Sequence, residues 1–152
     1  RYISVTGVQT CALPILLLAG TLRLANFITV NSHKPFKWGD WDCNTFVALA
    51  IDALNGTNRC MSEIHGKYHD ERSAIRFYRD YIRADHYLEQ MGWEVVNDQL
   101  NNTDILLCDQ GIYTAAHIVF ANKIWSCHKE HGLVCIDIME QLTMPYTQWR
   151  RK

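Results

Sequence analysis

The chain has 152 residues, a formal net charge of −1, a hydrophobic fraction of 48% and a charged fraction of 20%. This length suits one domain, and the composition is typical of a globular protein rather than a disordered or fibrous one. The near-neutral charge gives no electrostatic footprint for nucleic acid or an anionic membrane, so neither is expected as a partner. Six cysteines without scaffold-like or Cys-x-x-Cys spacing predict reduced thiols and synthesis in a cytoplasm.

The first residues differ in character from the rest of the chain. The sequence begins at Arg1, and "ISVTGVQTCALPI" resembles translated sequencing-adaptor read-through fused to an open reading frame. The apolar run in this region is interrupted by Pro14 and is too short to span a bilayer. We therefore interpret residues 1–15 as a non-native or disordered leader and residues 16–152 as one domain, and we leave Cys11 out of the functional reasoning.

Helical patterns dominate the first ninety residues. Apolar residues in "LRLANFITVN" recur at helical intervals, and this helix is expected to end near Asn31. "DCNTFVALAIDALNG" predicts a second helix, with Asp42 as its N-cap, Cys43 in its first turn and an Asn-Gly pair at its end. "SAIRFYRDYI" and "DHYLEQM" predict one bent helix or two short ones.

The pattern changes to strands from Trp93 onward. "DILLCD", "AHIVFAN", "KIWSCH" and "LVCIDI" are short apolar runs separated by polar or glycine-containing turns. Helices packed on a C-terminal antiparallel meander predict an α+β fold. A hairpin turn at Asn122-Lys123 would set His117 directly opposite His128, with both imidazoles on one face of the sheet.

Cys43 is the leading candidate for a nucleophile. The positive end of a helix dipole favours the thiolate, and the free backbone N–H groups there can stabilise a developing oxyanion. Such a nucleophile needs a base, and His117 would serve, with His128 fixing its tautomer. The structural alternative is that Cys43 is a small core residue and that both histidines only pack.

The segment "PFKWGDWDCNTFV" resembles the nucleophile segment of the NlpC-type papain-like cysteine hydrolases. That family runs Pro-Tyr-x-Trp-Gly-Gly, a loop, then Asp-Cys-Ser-Gly-Phe-Val, and the positions that match in order are Pro35, Trp38, Gly39, Asp42, Cys43, Phe46 and Val47. "TDILLCDQGIYTAAHIVFAN" resembles two later strands of the family, in which Asp104 matches the aspartate and His117 the catalytic histidine. The likeness extends over about residues 22–149 and is greatest for small phage tail-associated members.

This resemblance implies a papain-like fold and acyl transfer to a thiol. Cys43 would attack an amide carbonyl, His117 would accept and return the proton, and His128 would hold His117. The substrate and oxyanion region would be formed by Phe36, Trp38, Asp42 and Asn44. The implied substrate is a peptidoglycan peptide, and other phage tail proteins are possible partners. No metal or cofactor is expected, and the implied location is the bacterial host cytoplasm, then the virion tail.

Two alternatives remain open from the sequence. The family tyrosine is Phe36 here and its Ser-Gly pair is Asn44-Thr45, which fits a catalytically inactive structural or tail-assembly protein whose exposed Trp38 and Trp41 serve an interface. The other alternative is a zinc site, for which the candidate ligands are Cys108, Cys127, His128 and His131, although paired metal-binding knuckles are absent. Asp104 is interpreted as a structural turn former.

Overall fold

The computed structural model describes the backbone of residues 5–140 and 143–152, and side chains from Leu18 onward, apart from residues 141–142. In these ranges five α-helices precede six strands. The helices are α1 (Val5–Asn31), α2 (Cys43–Asn55), α3 (Arg59–Ile64), α4 (Glu71–Asp80) and α5 (Ala84–Gln90). The strands are β1 (Trp93–Val96), β2 (Ile105–Asp109), β3 (Thr114–Phe120), β4 (Lys123–His128), β5 (Gly132–Asp137) and β6 (Tyr146–Arg151), with a 3₁₀ turn at Ile138–Glu140. Helices followed by an antiparallel sheet confirm the predicted α+β class.

The predicted leader overlaps the first helix. Residues 1–4 lie outside the described residues, and α1 begins at Val5, inside the predicted leader. The interpretation of residues 1–15 as non-native therefore stays a prediction. None of the helices in the described ranges combines the length and hydropathy needed to cross a bilayer.

The ends of α2 are set by local signals, as predicted. Asp42 is the N-cap, and one of its side-chain oxygens accepts a hydrogen bond from Thr45 N–H at 2.9 Å. Gly56 adopts the left-handed conformation at the C-terminal end, and its N–H donates to the Asp52 carbonyl. The thiol of Cys43 therefore stands in the first turn of the helix.

All strand pairs of the sheet are antiparallel, in the order β1-β6-β2-β3-β4-β5. Strands β2 to β5 form the predicted meander, but β6 returns and lies between β1 and β2. Trp149 on β6 is buried in the core, and Arg150 forms an ion pair with Asp104 beside β2. These long-range contacts fix the position of a strand whose sequence, "YTQWRR", is largely polar.

The β3–β4 hairpin differs from the predicted one by two residues. Val119 pairs with Ile124, so the turn consists of Ala121 and Asn122, with φ values of 54° and 60°. A two-residue turn with two positive φ angles matches the twist of antiparallel strands. The predicted turn at Asn122-Lys123 is therefore wrong.

Helix α2 lies at the centre of the molecule, where it contacts α1 and α3 as well as β3 and β4. Its apolar face joins one continuous core, whose fully buried members include Leu24, Trp41, Phe46, Ala50, Ile105 and Ile118. Because α2 packs directly on β3 and β4, its first turn lies close to the strand that carries His117.

Candidate functional site

The loop before α2 is held by a buried tryptophan. Trp41 N–H donates to the Lys37 carbonyl at 2.7 Å, and the indole packs against Phe27 and Phe46 with ring centroids 5.6 and 5.5 Å away. Trp41 is 0% exposed, so the expectation that it presents an exposed interface is wrong. Trp38 is half-buried beside Phe36, and the two rings meet edge to face at 5.0 Å.

The same loop requires glycine at position 39. Gly39 has a φ of +78°, and a Cβ added there would lie 1.7 Å from the Tyr68 carbonyl oxygen. An L side chain would face both left-handed backbone strain and a direct clash. The close approach of the loop to Tyr68 thus explains the Trp-Gly pair in physical terms.

Asp42 holds this loop and the helix together. Its carboxylate is 1% exposed and accepts hydrogen bonds from Gly39 N–H at 2.7 Å, Thr45 N–H at 2.9 Å, Thr45 Oγ1 at 3.0 Å and Tyr68 OH at 3.0 Å. The Tyr68 hydroxyl also lies 2.8 Å from the Tyr78 hydroxyl. Since these partners enclose the carboxylate, Asp42 supports the loop and the start of α2, and its place in the substrate and oxyanion region stays a prediction.

Asn44 also has a structural contact. Its side chain is 9% exposed, and Nδ2 donates to the Thr114 carbonyl at 2.9 Å, which ties the first turn of α2 to β3. The Asn44 Oδ1 atom is buried and has no hydrogen-bond partner in the described part of the chain. Asn44 is not among the residues that line the cleft above Cys43, and its place in the substrate and oxyanion region stays a prediction.

A cleft with a volume of about 410 Å³ opens above Cys43. The predicted residues that line it are Phe36, Trp38, Cys43, His117 and His128, and further lining residues include Glu71, Tyr113, Ser126 and Lys129. Cys43 at the start of α2 and His117 on β3 thus line one cavity, although the His117 side chain is on the face of the sheet opposite to Ala116, which packs against α2. Aromatic walls with a few polar groups are typical of a small ligand or peptide site.

The Cys43 thiol is half-buried and neutral at rest. Burial raises its pKa to about 12, and the neighbouring Asp42 carboxylate adds to the rise. Backbone hydrogen bonds from Ala116 and Asn44 to the sulfur act in the opposite direction and lower the pKa. The expected stabilisation of a thiolate by the helix terminus is thus outweighed by desolvation.

His117 is held against the sheet beside a second cysteine. Its Nδ1 atom lies 3.7 Å from Cys108 Sγ. Burial lowers the pKa of His117 below the usual 6.5, although a hydrogen bond to the Leu106 backbone raises it in part. In the described part of the chain, no hydrogen bond joins Cys43 to His117 directly. The resting pair is a neutral thiol and a neutral imidazole that share a cleft.

His128 does not occupy the predicted position. Continuation of the observed β3–β4 register sets His117 level with Ser126, two residues from His128. The His128 side chain is exposed, its Nδ1 accepts a hydrogen bond from Glu130 N–H at 3.2 Å, and its ring stacks on His131 at 5.1 Å. A shift of two residues preserves the face, so His128 lines the same cleft, but the predicted pairing with His117 is wrong.

Asp104 is a structural residue, as predicted. It is 1% exposed and accepts hydrogen bonds from Arg150 Nε and Nη2, both at 2.9 Å, from Gln148 Nε2 at 2.8 Å and from Asn101 N–H at 2.8 Å. These contacts join β6 to the start of β2. Asp104 therefore has a structural role in the sheet rather than a catalytic one.

The candidate zinc ligands have separate contacts. The Cys127 thiol donates to the Trp41 carbonyl at 3.1 Å, whereas Cys108 lies against His117. Across the described residues, no group of three or more His, Cys, Asp or Glu side chains has a geometry that could hold a metal ion. The sequence interpretation considered Cys108 only as a zinc ligand and missed Tyr68. Strand alternation could have indicated the contact of Cys108 with His117, because the two residues lie on the same sheet face.

These observations define an α+β domain in which a helix-terminal cysteine and a strand histidine share a cleft. A family model described as a domain of unknown function, DUF6950, matches residues 19–144. Because the match covers most of the chain, including both residues, the chain belongs to this family. No curated protein matches the chain.

Proposed function

We propose that the chain is a cysteine hydrolase that cleaves an amide bond through Cys43 and His117. The observation that supports this function is their common cleft of about 410 Å³, with the sulfur at the first turn of α2 and the imidazole on β3. A nucleophile, a base and hydrogen-bond donors for the oxyanion are the components that acyl transfer to a thiol requires.

The chemistry begins from a neutral pair. As Cys43 Sγ attacks the substrate carbonyl, its proton passes to His117, and the oxyanion lies near the N–H groups of the α2 terminus. Collapse of this intermediate breaks the C–N bond, and the imidazolium returns the proton to the leaving amine. Water, deprotonated by His117, then hydrolyses the thioester and regenerates the thiol.

The pKa shifts give this mechanism a pH signature. Burial lowers the pKa of His117, so the neutral base persists below pH 6.5 and is lost only when the ring is protonated at more acidic pH. Cys43 remains protonated up to its pKa of about 12, so its ionisation does not change the rate near neutral pH. We expect kcat/KM to fall on the acidic side of pH 6.5 and to stay level through pH 8; an acidic limb centred above pH 7 would contradict the assignment.

The substrate class rests on the NlpC-like resemblance. Phe36 and Trp38 form an aromatic wall, and Glu71 and Lys129 add one charge of each sign, which suits a peptide carrying both signs of charge. A papain-like NlpC-type domain acting on cell-wall peptides, made in the bacterial host and carried on a phage tail, is the finer proposal. It would place peptidoglycan peptides and tail proteins among its partners.

A catalytically inactive NlpC-like structural or tail-assembly protein is the second candidate. The raised pKa of the Cys43 thiol favours this candidate, since a cysteine without a catalytic role does not need a reactive thiolate. The exposed position of His128 favours it too, because the predicted orienting partner does not hold His117.

A hydrolysis assay separates the two candidates. Purified wild type, Cys43→Ala and the exposed-thiol control Cys135→Ala would be incubated with cell-wall peptides, and products identified by mass spectrometry. We expect cleavage by wild type and Cys135→Ala and none by Cys43→Ala, with matching circular dichroism spectra. Equal cleavage by Cys43→Ala, or no cleavage by wild type across peptide amides, would reject the hydrolase.

A further inference from the structure

We infer that Cys108 is a positioning residue, which fixes the His117 ring with Nδ1 toward the sheet and Nε2 toward the cleft. The catalytic role of this contact rests on the proposed function, whereas the distance between Cys108 and His117 does not. Cys108 Sγ lies 3.7 Å from His117 Nδ1, within the range of a weak sulfur hydrogen bond.

The sheet register produces this contact. Leu106 pairs with His117 and Cys108 with Ala115 across the β2–β3 ladder. Directly opposed residues share a face, so Cys108 and His117 are diagonal neighbours on the same side of the sheet. Cys108 is 0% exposed and cannot turn its thiol toward solvent. The thiol is therefore held inside the protein beside Nδ1 of the imidazole.

The contact favours a base in one of its two tautomers. A hydrogen bond to the Leu106 backbone raises the pKa of His117 in part, because a carbonyl oxygen can only accept a proton from the ring. With a proton on Nδ1, the Cys108 sulfur is the acceptor of the ring, which leaves the lone pair on Nε2. An unprotonated nitrogen in the cleft is what a general base needs to take the proton of Cys43.

A thiol in this place acts differently from a carboxylate. Burial raises the pKa of Cys108, so the group is neutral and adds no negative charge beside the imidazole. It can orient the ring without raising its basicity, which agrees with the lowered pKa of His117. His128, which the sequence favours as the orienting residue, has its own contact with Glu130.

Nitrogen-15 NMR of the imidazole tests the tautomer without any substrate. Wild type, Cys108→Ala, Cys108→Val and Cys108→Ser would be compared, with the His117 signals assigned by their loss in His117→Gln. We expect the Nδ1–H form in wild type, a mixed population in Cys108→Ala and Cys108→Val, and recovery in Cys108→Ser. Cys60→Ala is the matched control, because Cys60 is also 0% exposed but contacts Met91. An Nε2–H form in wild type, or a population unchanged in the alanine and valine variants, would overturn the inference.

Kinetics on a cleaved peptide provides the second readout. We expect kcat to fall about tenfold in Cys108→Ala with KM unchanged, the size of one ordinary hydrogen bond, and to recover in Cys108→Ser. An unchanged kcat in Cys108→Ala would also overturn the inference. If wild type cleaves no peptide, the proposed function fails, while the tautomer measurement still decides the role of Cys108.

Discussion

Removal of the Asp42 carboxylate is expected to destabilise the whole loop–helix junction. In Asp42→Ala, α2 loses its N-cap and the buried Gly39 N–H loses its acceptor, whereas the Tyr68 hydroxyl can still donate to the Tyr78 hydroxyl. A lost cap costs about 0.5–2 kcal/mol, and each buried donor left without a partner costs about 1–3 kcal/mol. We therefore expect the free energy of unfolding to fall by about 1.5–5 kcal/mol, which can be a large part of the total for a domain of this size.

Asp70→Ala is a matched control for this prediction. Asp70 is also the N-cap of a helix, α4, and accepts from Ser73 N–H at 2.7 Å, but its side chain is exposed to solvent. Water can replace the lost acceptor, so the expected cost is smaller than that of Asp42→Ala. Urea denaturation followed by circular dichroism gives both values. If Asp42→Ala costs no more than Asp70→Ala, the buried network does not hold the junction.

Two further substitutions test close packing and a buried ion pair. Gly39→Ala should lower the free energy of unfolding by more than about 2 kcal/mol, because its Cβ would lie 1.7 Å from a backbone oxygen. In Gly66→Ala the Cβ has nothing within 4 Å, so this variant carries only the strain of the left-handed backbone, about 1–2 kcal/mol. Equal melting temperatures of the two variants would refute the clash. Arg150→Met should cost about 3–5 kcal/mol, because it leaves the buried Asp104 carboxylate without its guanidinium. Arg79→Met breaks a solvent-exposed pair and should cost much less. Similar urea midpoints for these two variants would contradict the structural role of Asp104.

Local signals predict the parts of the fold that local interactions determine. Asp42 and Gly56 mark the ends of α2 because a cap oxygen and a left-handed residue act within a few residues. The hairpin turn is not predictable in this way, since Ala121 adopts a φ of 54° and its N–H donates to Asn102 Oδ1 at 3.0 Å. That acceptor is nineteen residues earlier in the chain. The insertion of β6 depends on contacts of even longer range.

The candidate site is predictable to a similar extent. Cys43 and His117 follow from the N-cap pattern, the histidine strand and the family resemblance, and the structure brings both to one cleft. The environment of the sulfur is not predictable, because its pKa depends on burial by the assembled fold rather than on the helix terminus alone. The predicted pairing of His128 with His117 is wrong for the same reason as the predicted hairpin turn, since the two-residue shift in register moves His128 away from His117.

Cooperation between Cys43 and His117 is tested most directly by the rate of Cys43 alkylation with iodoacetamide at pH 7. Intact-mass spectrometry and peptide mapping would compare wild type with His117→Gln. Because burial keeps this thiol protonated, we expect Cys43 to react with the help of the imidazole in wild type and at least about tenfold more slowly in His117→Gln. Equal rates in the two proteins, or modification confined to other cysteines, would contradict the claim that the two groups act together.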